Sequence, residues 1–362
     1  TPHRGSCGVR VVLKPPADAM GFGSKKPPPP AARANKDAED PAAGLAHLAA
    51  ATACVAESTV ILKTQATNLD LPPETMLAPV GQAVPFESLS DFKLLGSGEF
   101  CGVYKAALEG GGQVAVKMLK PPCELSAQAM SDLRREVWML SRIDHPNIIS
   151  FAGHGVRPKS GVPIGFFRLF DHTLTADLPK STVSASTPWK APKPCKEWPV
   201  ARSLTIALQI ASAMRFCHDD FMPGFRLLHR DIKPDNIGIA PDGRAILADF
   251  GLCKLWKKST DGTDPTDTRS LTGNTGSLRY MAPEVALSRP YNHKAEVFSW
   301  TSLLYHVLTL EKPFAKMDAK KFVLEACKNG MRCPLDKKWP AKLRAVMTEG
   351  ARDDTRSPEI TR

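Results

Sequence analysis

No run of eighteen or more apolar residues occurs in these 362 residues, so no segment reads as a membrane-spanning helix. The stretch 45–62 comes nearest, but it is rich in alanine and broken by His47, Glu57 and several threonines and serines. Nine cysteines are scattered without a single C-x-x-C pair. That excludes the local signatures of a zinc site or a disulfide framework and predicts reduced thiols. Reduced thiols suit the cytoplasm or nucleus. The chain opens on Thr1 rather than Met, the start expected of a fragment or processed product, so no targeting signal can be read. Aromatic residues make up only 7%, and no RNA-type aromatic motif or zinc finger accompanies the formal net charge of +11. The surplus reads as solvated polar segments, and no specific nucleic-acid partner is expected.

What is present falls into two parts. Residues 1–85 hold Pro27 to Pro30, many alanines and charges of both signs, a low-complexity composition that predicts a disordered extension or tether. Its polyproline run also has the form that SH3 or WW modules bind. From Phe92 onward the pattern becomes that of a folded domain, with strand-like runs first, Ile148 to Ala152 and Ile164 to Phe170 among them, and helical periodicity later. Leu133, Val137, Leu140 and Ile143 fall on one stripe of a helix over 126–143, and 201–218 reads as a second amphipathic helix with Leu204, Ala207, Leu208, Ala211, Met214 and Phe216 inward. The segment 178–199, rich in Pro, Ser, Thr and Lys, reads as a surface insertion.

The most informative stretch is His229 to Gly251. It reads as a polar loop, a short strand (Ile237 to Ala240), a turn at Pro241-Asp242-Gly243 and a second strand (Arg244 to Ala248). A hairpin of that form holds two loops side by side and brings Asp231, Asn236 and Asp249 to one cleft. An Asp and an Asn are hard oxygen ligands of the kind Mg2+ takes at low protein-ligand count, leaving room for phosphate oxygens. The remaining acid can accept a proton from an attacking hydroxyl.

His229-Arg230-Asp231 with Lys233 and Asn236, then Asp249-Phe250-Gly251, then Ala282-Pro283-Glu284 resemble the signature set of the eukaryotic protein kinases, serine/threonine type. Three linked motifs in that order make the resemblance specific, and it covers about three quarters of the chain. The wording Thr275-Gly276-Ser277-Leu278-Arg279-Tyr280-Met281-Ala282-Pro283-Glu284 is most similar to the tyrosine-kinase-like group. The resemblance implies an α+β, two-lobed protein kinase fold over 86–362: a small mainly-β lobe with one helix (86–171) and a larger mainly-α lobe (172–362). It implies ATP and Mg2+ as cofactors, a protein substrate and an upstream activating kinase as partners, and γ-phosphoryl transfer to a serine or threonine hydroxyl. The alternative is a pseudokinase scaffold, whose usual mark is loss of one of the key residues.

Residue by residue, the resemblance makes Asp231 the catalytic base and orienter, Lys233 the neutraliser of the transferred group, and Asn236 and Asp249 the metal ligands. Gly96, Ser97 and Gly98 form a glycine flap over the phosphates. Val103 and Ala115 line the nucleotide site, and Lys117 grips its phosphates with Glu136 as counter-charge. Ser277 is expected to bond Lys233 and Asp231, and Glu284 to pair with Arg356. Thr272, then Ser270 and Thr275, are the candidate phosphosites of the loop 252–281, with Arg230 and Lys254 as cations to receive a phosphate. The hinge reading puts Phe170 at the back of the adenine pocket and starts the hinge at Asp171. Three positions depart from the family pattern. Cys101 stands for the third glycine and is expected at the flap's tip beside the nucleotide. Gly238 replaces a bulky residue under the base and predicts a roomier floor. Glu296 replaces the usual Asp that tethers the catalytic loop.

Overall fold

The computed structural model describes residues 79–158, 160–179, 197–258, 268–271, 273 and 276–352. Its first lobe is a five-stranded antiparallel sheet in the order β1-β2-β3-β5-β4, with β1 at Leu89–Ser97, β2 at Cys101–Leu108, β3 at Gln113–Leu119, β4 at Phe151–Val156 and β5 at Pro163–Phe167. One helix, α1 (Ala127–Leu140), crosses between β3 and β4. Ser126 caps its start, the hydroxyl accepting from Ala129 N at 3.2 Å, a bond that satisfies one of the orphan amides of the first turn.

The β3 sequence Gln-Val-Ala-Val-Lys-Met-Leu is apolar on both faces because both faces are covered. Gln113, Ala115 and Lys117 look into the interlobe cavity. The alternate residues Val114, Val116 and Met118 join Leu89, Ala106, Ile164 and Phe166 in an outer cluster. Segment 79–88 helps cover that outer face. Val84 N donates to His154 O at 2.8 Å and His154 N to Gln82 O at 3.0 Å, so the described chain before β1 pairs with the edge strand β4.

The second lobe is mainly helical. Its principal helices are α2 (Val200–Arg215), α3 (Lys294–Thr309) and α4 (Ala341–Gly350). Two small sheets lie near the cleft, β6-β8-β9 (His172–Thr173, Ile237–Ile239, Ala245–Leu247) and β7-β10 (Phe225–Leu228, Lys254–Lys257). The sheet-then-helices arrangement is the two-lobed kinase fold that the motifs imply.

Three sequence expectations are corrected here. On α2 the inward stripe is Ser203, Ile206, Ala207, Ile210 and Met214, whereas Leu204 and Leu208 face out, the latter 72% exposed. Ala207, Ala211 and Met214 of the expected stripe are buried as expected, and Ser203, Ile206 and Ile210 take the places given to Leu204 and Leu208. Trp198, placed by composition in the surface insertion, is a core residue. Its indole Nε1 donates to Ser203 Oγ at 2.8 Å and to Val307 O at 2.9 Å, meeting the demand that a buried indole find a partner. The strand expected over 148–152 begins instead at Phe151, and Ile148 makes a single bridge to Leu247. Residues 180–196, Thr272, Thr275 and Arg356 lie outside the described residues.

Candidate active site

A cleft of about 340 Å³ lies between the sheet and the helical lobe, lined by Val103, Ala115, Lys117 and Glu136 on one side and by Asn236, Ala248 and Asp249 on the other. Lys117 reaches it because β3 pairs with β2 and β5 (Val103↔Lys117, Lys117↔Gly165). Its Nζ donates to Glu136 Oε1 at 2.6 Å and to Asp249 Oδ1 at 3.2 Å. Burial pushes the Glu136 carboxyl up, and the Lys117 ammonium offsets part of that rise. A buried ammonium is tolerated only with such partners.

The opposite wall is built by the β8–β9 hairpin, whose register is Ile237↔Leu247 and Ile239↔Ala245. It delivers Asn236 immediately before β8 and Ala248-Asp249 immediately after β9. Asn236 Nδ2 donates to Asp231 Oδ2 at 2.8 Å and to Asp231 O at 2.9 Å, while Asn236 Oδ1 is buried without a hydrogen-bond partner. Lys233 Nζ donates to Asp231 Oδ2 at 2.5 Å and to Ser277 Oγ at 2.7 Å. Ser277 N donates to Asp231 Oδ1 at 2.9 Å. Lys117, Glu136 and Asp249 thus form one hydrogen-bonded set and Asp231, Lys233, Asn236 and Ser277 another, and Asn236 and Asp249 both line the cleft.

Both acid-bearing loops hold a non-glycine residue in the left-handed region, Arg230 at φ 71° and Asp249 at φ 61°. Such backbone persists only where surroundings over-determine it. Glu296 supplies one constraint: its Oε1 accepts from Arg230 N at 2.5 Å and its Oε2 pairs with His218 Nε2 at 2.6 Å. Burial acts to raise the Glu296 carboxyl, but the hydrogen bond and charge of His218, with help from His229 and the Arg230 amide, hold it below the usual range. The extra methylene thus still reaches the loop. His229 supplies a second constraint, its Nε2 bonding Ala248 O at 3.0 Å while its ring meets the fully buried Phe250 edge-on at 4.7 Å.

Two departures behave differently from expectation. Cys101 is the first residue of β2, only 3% exposed, and packs with Leu119, Leu133 and Val137 behind the flap. It is not among the residues that line the cleft, so its thiol does not lie beside a nucleotide bound there. Gly238 leaves no extra room, because the Phe170 ring occupies the space a side chain would fill. Phe170 accordingly lies toward the floor, and the residue behind the cleft is Phe167, the register partner of Ala115. The linking segment begins at Arg168, directly after β5, rather than at Asp171. Gly96, Ser97 and Gly98 sit on the β1–β2 flap but do not line the cleft, in which Leu95 represents β1. Lys120 Nζ bonds the Gly98 carbonyl.

Sequence reasoning missed His218, Lys120 and Gly276. Gly276 has φ +96°, and a Cβ there would come within 2.5 Å of Arg230 O. The Thr-Gly-Ser wording carries its signal, since glycine before a loop-anchoring serine marks close backbone approach. Near the loop 252–281, burial and then the charges of Arg135 and Arg230 lower the Lys254 pKa, with Asp132, the partner of Arg135, opposing them. Ser270 is exposed.

Among the described residues no group of three or more His, Cys, Asp or Glu side chains could hold an ion by itself. Asn236 and Asp249 instead form a two-residue oxygen set at the cleft, and the unpartnered Asn236 Oδ1 is an acceptor in search of a cation. That set fits Mg2+ whose remaining positions go to phosphate and water.

A family model described as "Protein kinase domain" matches residues 89–353. Among similar curated proteins, a proline-rich receptor-like protein kinase of Arabidopsis thaliana is 33% identical over 227 residues, covering 63% of this chain and 28% of that protein. The serine/threonine-protein kinase VIK of the same plant is 33% identical over 230 residues, 62% of this chain and 47% of its own length. A probable serine/threonine-protein kinase of Dictyostelium discoideum is 28% identical over 260 residues, 72% of this chain and 25% of its own length. The chain thus spans between a quarter and about half of these relatives.

Proposed function

The chain belongs to the protein kinase family, and from that premise we propose that it transfers the γ-phosphoryl group of Mg·ATP to a serine or threonine hydroxyl of a protein substrate. The observation that carries this reading is Lys117, bonded to Glu136 and Asp249 at once, across one cleft from the group of Asp231, Lys233 and Asn236. No member of the set whose loss marks a pseudokinase is missing.

In the mechanism Lys117 binds the α- and β-phosphates, with Glu136 fixing its direction. Asp231 orients the substrate hydroxyl and accepts its proton at a carboxylate oxygen, held in place by Asn236 Nδ2 and Ser277 N. Lys233 offsets the negative charge that grows on the transferred group. Asn236 Oδ1 and Asp249 would hold Mg2+, which when bound screens phosphate charge and fixes the phosphates in place. Most of the acceleration then comes from positioning and charge neutralisation. A residue with Lys two positions after the catalytic Asp resembles serine/threonine kinases, and the names of the relatives agree with that class.

Regulation belongs to the same reading. A phosphate on Ser270, Thr272 or Thr275 would meet the cations of Arg135, Arg230 and Lys254, and an upstream kinase or the chain itself would place it.

The test is transfer of labelled phosphate from ATP to a generic protein substrate. Asp231→Asn should cut kcat by about 10²–10⁴-fold, and phosphoamino-acid analysis should return phosphoserine or phosphothreonine. Equal incorporation by wild type and Asp231→Asn would refute catalysis, and phosphotyrosine alone would refute the residue class.

A further inference from the structure

Gly238 sits in the middle of β8, paired with Thr173 of β6 on one side and Ile246 of β9 on the other. Nothing in its backbone asks for glycine, since its φ is not among the positive values of this chain. A central strand position normally favours a branched or aromatic side chain, and glycine there marks close approach by another group. The group is Phe170. A Cβ built on Gly238 would lie 2.4 Å from the ring's Cγ, 2.5 Å from Cδ1 and 2.7 Å from Cδ2. Those are the root atoms of the ring, so rotation about χ2 cannot clear the clash.

The ring is also held from below. Asp171 N, one residue on, donates to Ile239 O at 2.9 Å, and His172 and Thr173 continue the pairing with Ile239 and Gly238. The segment linking the lobes is therefore hydrogen-bonded to the same strand on which the ring rests. Phe170 lines the cleft together with Val103 and Ala115 of the sheet.

Resting on the reading of this cleft as a nucleotide site, we infer that the surface under the purine base is the Phe170 ring, set on the bare Cα of Gly238, in place of a side chain rising from β8. The two positions form an exclusive pair. Strand residue and linker ring cannot both fill the floor, and each determines what the other must be. The base lies on an aromatic face, against which stacking adds to apolar contact.

The experiment measures equilibrium binding of a fluorescent ATP analogue, with Mg2+, to the full chain and three variants: Phe170→Ala, Gly238→Leu, and both together. Phe170→Ala removes the floor and should weaken binding roughly 10- to 100-fold, the range of one base–aromatic stack. Gly238→Leu alone forces the ring out and should weaken it at least as much. The double variant refills the floor from the strand and should bind more tightly than either single variant, a coupling of opposite sign to the single effects. Thermal melts on each protein separate lost binding from lost folding, and should Gly238→Leu fail to fold, Phe170→Ala against the double variant still decides the matter. The inference is overturned if Phe170→Ala binds as the wild type does, or if the double variant is no better than Phe170→Ala. Because binding needs no turnover, absence of phosphate transfer with this pattern intact would fault the proposed reaction and leave the floor assignment standing.

Discussion

Glu296 holds together two groups that would otherwise be buried and unpaired, the Arg230 amide and the His218 imidazole. Removing one side of a fully buried charged pair costs about 3–5 kcal/mol. Glu296→Ala should therefore lower unfolding free energy by roughly that amount in urea titrations. Its effect on catalysis should fall on kcat more than on the KM for ATP, because Arg230 precedes Asp231 while Lys117 grips phosphate from another element. His306 gives a pH dependence whose sign can be worked out. Burial pushes its pKa down to about 4, with Lys312 adding to the fall, and its Nδ1 bonds Tyr280 Oη at 2.7 Å. The unfolded imidazole takes a proton below its ordinary value near 6.5, whereas the folded one refuses it until about 4. The unfolded state thus binds more protons across that window, so stability is full above pH 6.5 and falls as pH drops towards 4. His293, pushed down to about 2 by burial and by His218, acts in the same direction. Denaturation at pH 8, 6 and 5 should show the decline, and His306→Gln should reduce it, by on the order of 2–3 kcal/mol between the extremes of the window. A pH-independent stability would refute the buried neutral state.

At the scale of elements, β4 carries glycines where its edge meets the chain before β1. A Cβ on Gly153 would come within 2.7 Å of Gln82 O, and one on Gly155 within 2.6 Å of Val84 O. The same incoming segment is latched to α1 through Val80 N and Ser141 Oγ at 3.0 Å. Gly155→Val should expel Gln82–Val84 from the edge and cost about 1–3 kcal/mol, the usual penalty of overpacking. Hydrogen exchange should show His154 and Val84 amides losing protection first, and unchanged protection there would sink the idea. Nothing in the sequence announces this pairing, since it joins positions some seventy residues apart. The hairpin bearing Asn236 and Asp249 was legible for the opposite reason: its strands, turn and chemistry are contiguous, and local pattern suffices. On α2 the alanines and Met214 of the stripe are legible, whereas Leu204 and Leu208 are not, because Ser203 and Ala207 make the close contacts to α3 through Val307 O and Trp300 Nε1. Cys101 and Gly238 were misread for want of their partners, Leu133 and Phe170, which only the fold supplies.

For the whole molecule, the two lobes are joined at the cleft by polar contacts that need no ligand. Lys117 of the sheet bonds Asp249 of the second lobe, and the Phe250 backbone amide donates to the Glu136 carboxylate of α1. A nucleotide with Mg2+ adds a third link, so binding should stabilise the fold as a unit and not one lobe alone. A ligand held only by the native state adds RT ln(1 + [L]/Kd), about 2.7 kcal/mol at a hundredfold excess over Kd. Thermal melts with Mg·ATP or Mg·ADP should therefore shift up in a single transition, and chelating the metal should remove most of the shift. Asn236→Ala takes away the buried, unpartnered Oδ1 and should abolish the metal-dependent part while leaving the nucleotide-only part in place. Lys117→Met should do the reverse, lowering the nucleotide-only part and cutting phosphate transfer on the order of 10²-fold. If both variants shift like the wild type, the oxygen pair and the ammonium do not meet a common ligand, and the cleft has another use.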